Sequence, residues 1–263
     1  RRRILLPVST LFRRGVIHSP ADPFAQALLV DDGVVTWLGD DDTAEHVKAD
    51  EVVDLDGAIV TPAFVDAHVH ALETGLAIEG LDLSRARSLA DALAEVERAA
   101  ARTRAAGGAR VLGHSWDETR WPEGRPPTIT ELDRAAGGLE VYLSRVDVHS
   151  AVVSSALAHA AGLEGRPGWS EDGLVRLEAH HGARARAREL EPAERTRLYR
   201  LALEAAAAQG IVSVHEQSAP HIDTREGLAE LLTMTASDDS GLPLVVGYRG
   251  ELCETVDDAR AIL

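Results

Sequence analysis

The sequence predicts an α/β protein, with short β-rich runs first and strands alternating with helices after them. Three observations carry this. Asp-Gly steps punctuate residues 1–60 between apolar runs, which is a hairpin signal. Beyond residue 60, segments of helical length separate short apolar runs, the spacing of βα units and a parallel sheet. Of the 263 residues, 45% are hydrophobic, enough for a sizeable core, and the 4% of aromatics leave Ala, Val and Leu to build it.

The elements follow in order. Residues 16–17, 27–30, 34–38 and 51–55 are β-rich, divided by Asp31-Asp32-Gly33 and Asp54-Leu55-Asp56-Gly57. Residues 1–60 therefore read as a small β module. The pattern changes at Ala58, where AIVTPAFVDAHVHA is an apolar strand interrupted by Pro62. Residues 88–104 form a helix, with Ser88 as N-cap and Asp91 three residues on. Residues 110–113 are a short strand, 129–136 a helix and 139–146 a strand. Residues 192–209 are a helix closed by Gly210. A strand at 211–215, a helix at 224–236 and a strand at 242–248 complete the series. A closed barrel of eight such units needs about 250 residues, and only about 200 follow Pro62. The expected architecture is the first part of a longer chain.

Charge excludes some functions. Asp and Glu number 43 against 27 Lys and Arg, a net charge of -16. So acidic a surface repels nucleic acid and anionic membrane. The one cysteine, Cys253, allows no intrachain disulfide and no cysteine metal cluster, and reads as an inert small hydrophobe. No run approaches membrane-spanning length, and the basic start has too short an apolar stretch for a signal peptide. A cytoplasmic setting is expected.

The chemistry centres on Asp66-Ala67-His68-Val69-His70. Side chains alternate faces along a strand, so Asp66, His68 and His70 share one side. Two imidazoles so placed can hold one divalent ion, and Asp66 behind them is placed to orient a ring. Alone, such a pair also fits two histidines on a polar strand face. Its place at the end of an apolar strand, before a loop, is where α/β folds put active sites.

The stretch VVDLDGAIVTPAFVDAHVHA resembles the signature of the amidohydrolase superfamily, with Ala63 where Gly is usual. The run ALLVDDGVVTWLGDD resembles the strand pair that precedes it. WDETRWPEGRPPTITELD and VYLSRVDVHSAVVSSALA are similar to amidohydrolase family 3, the group of YtcJ and N-substituted formamide deformylase. In the second run Asp147, His149 and Ser150 match the pattern, while Val148 and Ser154 replace Gly and Asn. The resemblance covers nearly the whole chain. It implies a TIM-type (β/α) barrel of the metal-dependent hydrolase kind, incomplete here, over residues 61–263, with a β-sandwich portion over 1–60. It also implies zinc or a similar divalent metal held by His68 and His70, whose activated water attacks a carbonyl carbon. The family's ligand set includes a carboxylated lysine or a carboxylate in mid-barrel, two further histidines and a late Asp that serves as base. Here Lys48 is the single lysine and lies in the β module. The base is expected beyond Leu263.

Other residues are secondary candidates. His215, at the end of IVSVHE, and Glu178, at the end of LVRLEA, are possible metal or pocket residues. His149, Trp116 and Asp117 are expected at the substrate pocket, with His114 near the same mouth, and Trp116 fits the core equally well. His180 and His181, as strand neighbours, would face opposite ways and share no ion. The run ARARAREL reads as a solvated helix face. The leading function is hydrolysis of an amide, formamide or cyclic amide, on a small-molecule substrate and from a possible homodimer. A non-catalytic fragment acting through assembly, and a deaminase of amino-heterocycles, are the competing readings.

Overall fold

The computed structural model describes residues 8–220, 222–237 and 240–262. The chain forms two compact units, Arg1–Phe64 and Val65–Leu263.

The first unit has a four-stranded sheet in the order β4 (Val34–Gly39), β3 (Ala27–Asp31), β1 (Thr10–Arg13) and β5 (Glu51–Asp54). A second sheet pairs β2 (Val16–Ile17) with β6 (Ile59–Val60) in parallel. β3 and β4 form the expected hairpin. Asp32 at φ 48° and Gly33 at φ 76° give its turn the two positive φ angles that match strand twist. The second Asp-Gly step also has positive φ, at Asp56 and Gly57. It is no hairpin, because β5 pairs with β1 and β6 pairs with β2. Strand alternation explains the two small cores. Leu11 and Leu29 pack with Ala44 of the short helix α1 (Asp41–Ala44), whereas Phe12, Leu28 and Val30 pack with Ile17 and Val60.

The second unit holds two sheets. A three-stranded sheet runs β14 (Leu244–Arg249), β13 (Ile211–Ser218), β7 (Phe64–Val69). A five-stranded sheet runs β12 (Leu174–Val175), β11 (Ala151–Val153), β10 (Glu140–Arg145), β9 (Arg110–Trp116), β8 (Leu81–Asp82). β8, β9 and β10 are parallel, as are β13 and β14, in line with βα units. β11 and β12 are antiparallel additions, so the sheet is mixed rather than all-parallel. The described residues show no closed barrel.

The helices start where their sequences supply caps. Ser88 accepts from the Asp91 N–H at 3.0 Å to open α3 (Leu89–Ala105). Thr128 and Glu131 form a reciprocal capping box at α4 (Ile129–Ala136), which ends on Gly137 at φ 56°. Pro192 sits in the first turn of α7 (Pro192–Ala207). Thr224 opens α8 (Arg225–Met234) by accepting from the Gly227 N–H. Ser154 opens α5 (Ser155–Ala160), accepting from the Leu157 N–H. It stands where the resembled family has Asn, and both residues serve well as N-caps. Two helices lacked a start signal in sequence, although the arginine run within the second read as helical. α2 (Ala71–Glu79) follows β7 directly with no side-chain cap. α6 (Leu177–Ala187) also lacks a cap, and it buries Ala179, His180, Ala183 and Ala187 rather than large apolar residues. His180 and His181 thus lie on a helix, not a strand. Cys253 is exposed, so it is no buried hydrophobe.

Three cores fill the second unit. α3 and α4 pack Val96 and Leu132 on Val141 and Leu143. α5 and α6 pack Leu157 and Ala183 on Tyr142 and Val153. α2, α7 and α8 pack Leu72, Leu198 and Leu231 on Val214 and Val245.

Candidate metal centre

β7 carries His68 exposed and His70 half-buried, with ring centroids 5.1 Å apart and edge to face. His70 also occupies the N-cap position of α2, so it closes the strand and opens the helix. Its Nδ1 is buried and has no hydrogen-bond partner. The nearest acid is Glu216, whose Oε1 lies 3.9 Å from that nitrogen. Burial holds the His70 pKa below the usual imidazole value, and the neighbouring His68 and Arg188 act in the same direction.

Glu216 reaches this position because β13 alternates. Val214, Glu216 and Ser218 are all buried, and Ser213, His215 and Gln217 alternate with them. The Glu216 carboxylate accepts from the backbone N–H of Ala71 at 2.6 Å, at the start of α2. A helix N-terminus favours such an anion. Burial nevertheless pushes its pKa up to about 7, against the Ala71 hydrogen bond, with Asp223 and Glu73 adding repulsion. The sequence did carry a signal for Glu216: it is an acid on the apolar register of a strand, near its C-terminal end.

Two of these donors, His70 Nδ1 and the Glu216 carboxylate, stand close enough to share one divalent ion. An orphaned buried imidazole nitrogen is costly unless something accepts it. Metal–nitrogen and metal–oxygen bonds of about 2.0–2.2 Å allow two ligands of one ion to stand 3.9 Å apart. Among the described residues no group of three or more His, Cys, Asp or Glu converges as a full ligand set.

The other expected site residues lie elsewhere. Asp66 does not orient a ring: its Oδ1 accepts from the His68 backbone N–H at 3.1 Å. His215 faces away from Glu216, stacks on Tyr248 and bonds its hydroxyl through Nδ1 at 3.1 Å. Glu178 is exposed in the first turn of α6, three residues after β12 ends, and is not among the residues lining the cavity described below. Trp116 is no pocket wall. It is 1% exposed, packs against Trp121 and donates through Nε1 to the Leu143 carbonyl at 2.8 Å. Asp117 caps the turn that follows β9, accepting from the Thr119 N–H and hydroxyl. His149 is exposed on the β10–β11 loop. The motif acid Asp147 builds that loop: it accepts from the N–H groups of His149 and Ser150 and pairs with Arg145 at 2.9 Å. Burial alone would raise the Asp147 pKa; these donors hold it below the usual carboxylate value.

A cavity of about 290 Å³ lies between α2, α6 and the ends of β9 and β10. Glu73, His114, Tyr142, Arg145, Arg184 and Arg188 are its ionisable lining residues. Arg184 and Arg188 belong to the arginine run, so that run is not simply a solvated face. The His114 ring contacts the Ala77 carbonyl and the Ser115 hydroxyl, at 3.0 and 2.9 Å.

Known proteins resemble this chain in sequence and in fold. N-substituted formamide deformylase of Arthrobacter pascens is 29% identical over 143 residues, 53% of this chain and 26% of that protein. YtcJ of Bacillus subtilis is 28% identical over 161 residues, 59% of this chain and 30% of its own length. A solved metal-dependent hydrolase of Pyrococcus furiosus superposes with a TM-score of 0.67 at 25% identity, over 92% of this chain and 50% of that one. One from Pyrococcus horikoshii gives 0.70 at 24% identity, over 92% and 48%, which speaks for the fold. The chain thus spans about half the length of these structures and about a quarter to a third of these curated relatives. Residues 51–259 match the amidohydrolase family, and the chain belongs to it.

Proposed function

We propose that this chain carries part of the metal centre of a hydrolase that cleaves a C–N bond in an amide, formamide or cyclic amide. His68 and His70 are the imidazole ligands, and Glu216 is the carboxylate beside them. The observation that carries the reading is the buried, partnerless Nδ1 of His70, 3.9 Å from a buried acid. Imidazole and carboxylate donors suit zinc. A bound divalent metal supplies an activated water at neutral pH and polarises the carbonyl under attack. The chain's own residues do the rest. The His70 backbone sits at the junction of β7 and α2, and Glu216 is anchored by the Ala71 N–H, so the carboxylate is held before any ion arrives. Membership of the amidohydrolase family and the metal-dependent hydrolases of like fold support this reading.

Metal analysis of protein purified without chelator tests it. Wild type is expected to hold divalent metal, and the His68→Ala/His70→Ala double variant to fall below about 0.2 equivalents. Glu216→Gln should weaken metal binding about 10- to 100-fold. Wild type with less than about 0.2 equivalents overturns the proposal.

A further inference from the structure

The cavity between α2 and α6 holds one guanidinium, Arg184, that no acid among the described residues pairs with. Of its three arginines, Arg145 is neutralised by Glu118 and Asp147, each at 2.9 Å. Arg188 pairs with Glu73 and donates to the Ile222 carbonyl at 3.3 Å. Arg184 has no hydrogen bond or ion pair to any described residue, although it is half-buried and lines the cavity. A guanidinium stays charged and presents five donors, so leaving it unpaired and partly desolvated is costly. Arg188, one turn on and against the same cavity, adds repulsion.

Charge balance narrows what would fit. Of the three guanidiniums only Arg184 lacks an acid within ion-pair distance among the described residues, and one vacant guanidinium matches a monoanion better than a phosphate dianion. A planar carboxylate also matches the fork of a guanidinium. Leu76, Leu112, Val146, Val148 and Ala187 give it aliphatic wall, beside the polar Ser115, Tyr142 and Ser144. The volume, about 290 Å³, is at the small end for ligand pockets.

We propose that this cavity is a binding subsite for a small monocarboxylate with an aliphatic body, held by the Arg184 guanidinium. It rests on the proposed function only in treating that ligand as part of a substrate. The carboxylate lies against Arg184 and the apolar body against the aliphatic walls. α2 joins the two places, since His70 begins it and Glu73 lies in its first turn.

Calorimetric titration of the full chain with hexanoate, hexanamide and inorganic phosphate tests this. Hexanoate is expected to bind saturably, with hexanamide and phosphate about tenfold weaker or more. Arg184→Met should weaken hexanoate by about tenfold or more while hexanamide is unchanged. Hexanamide or phosphate within about tenfold of hexanoate overturns the proposal, as does undetectable hexanoate binding or an Arg184→Met variant that binds like wild type. If that variant fails to fold, the wild-type ratio of carboxylate to amide decides. The titrations use chelator-treated protein. Hexanoate binding by a chain that cannot be reloaded with metal sinks the proposed function and leaves this subsite standing. Metal loading without hexanoate binding does the reverse.

Discussion

Two residues carry measurable consequences of their own. Val148 has φ 55°, in the left-handed region, where the resembled motif has Gly. A β-branched residue there is strained by roughly 1–3 kcal/mol. Gly also gains freedom in the unfolded chain, which offsets about 0.4–1 kcal/mol. Val148→Gly is therefore expected to raise stability by about 1 kcal/mol, read from the urea midpoint; an unchanged or lower midpoint refutes the strain. Ala63, the other departure from the motif, is not among the positive-φ residues, which explains why Ala is accepted there. His180 is the second case. It is 3% exposed, its Nε2 lies 2.9 Å from the Tyr142 hydroxyl, and burial lowers its pKa from 6.5 to about 4, with Arg184 and His181 adding to the shift. The folded state thus resists a proton that the unfolded state takes up. Stability is fully present above about pH 6.5 and is lost as pH falls towards about 4, by on the order of 2–3 kcal/mol. His180→Gln keeps a hydrogen-bonding group without the titration. Its urea midpoint should fall less between pH 7 and pH 4.5 than that of wild type, and equal losses would exclude His180 as the cause.

Among the elements, legibility followed the presence of local signals. α3 and the β3–β4 hairpin were readable because Ser88 and Asp32-Gly33 fix their ends through side-chain caps and positive φ. α2 was not, and of α6 only the arginine run read as helical, since neither has a capping side chain and α6 buries small residues that leave no apolar stripe. The same divide governed the centre. His68 and His70 were visible because two positions along one strand bring them together. Glu216 was not singled out, because its relation to His70 depends on a pairing 145 residues apart. Trp116 shows the converse: a position near a strand end is a weak guide when the next strand offers its indole a carbonyl. The capping box of α4 gives an element-scale test. Thr128→Ala removes one half of it and should cost about 1 kcal/mol, seen as a lower thermal midpoint. Thr128→Ser should recover most of that loss.

For the whole molecule, net charge is the dominant global term. At -16 the folded chain repels itself more than the expanded chain does. Raising ionic strength from 0.01 to 0.15 M shortens the screening length from about 30 to about 8 Å. The thermal midpoint at fixed pH is expected to rise with that change, although individual surface ion pairs weaken. A fall would mean that ion pairs such as Arg186–Glu140, at 2.6 Å, outweigh the general repulsion. No helix among the described residues is long and apolar enough to cross a membrane.

The bond from Glu216 to the Ala71 amide also sets a timetable for synthesis. Its two ends are separated by 145 residues. At about 5–20 residues per second, β7 and the start of α2 leave the ribosome on the order of ten seconds before their partner strand exists. Throughout that interval Phe64 and Val65, exposed even in the finished fold, have no β13 beside them. The histidine-bearing strand is thus the stretch of the nascent chain with the longest wait for its neighbour.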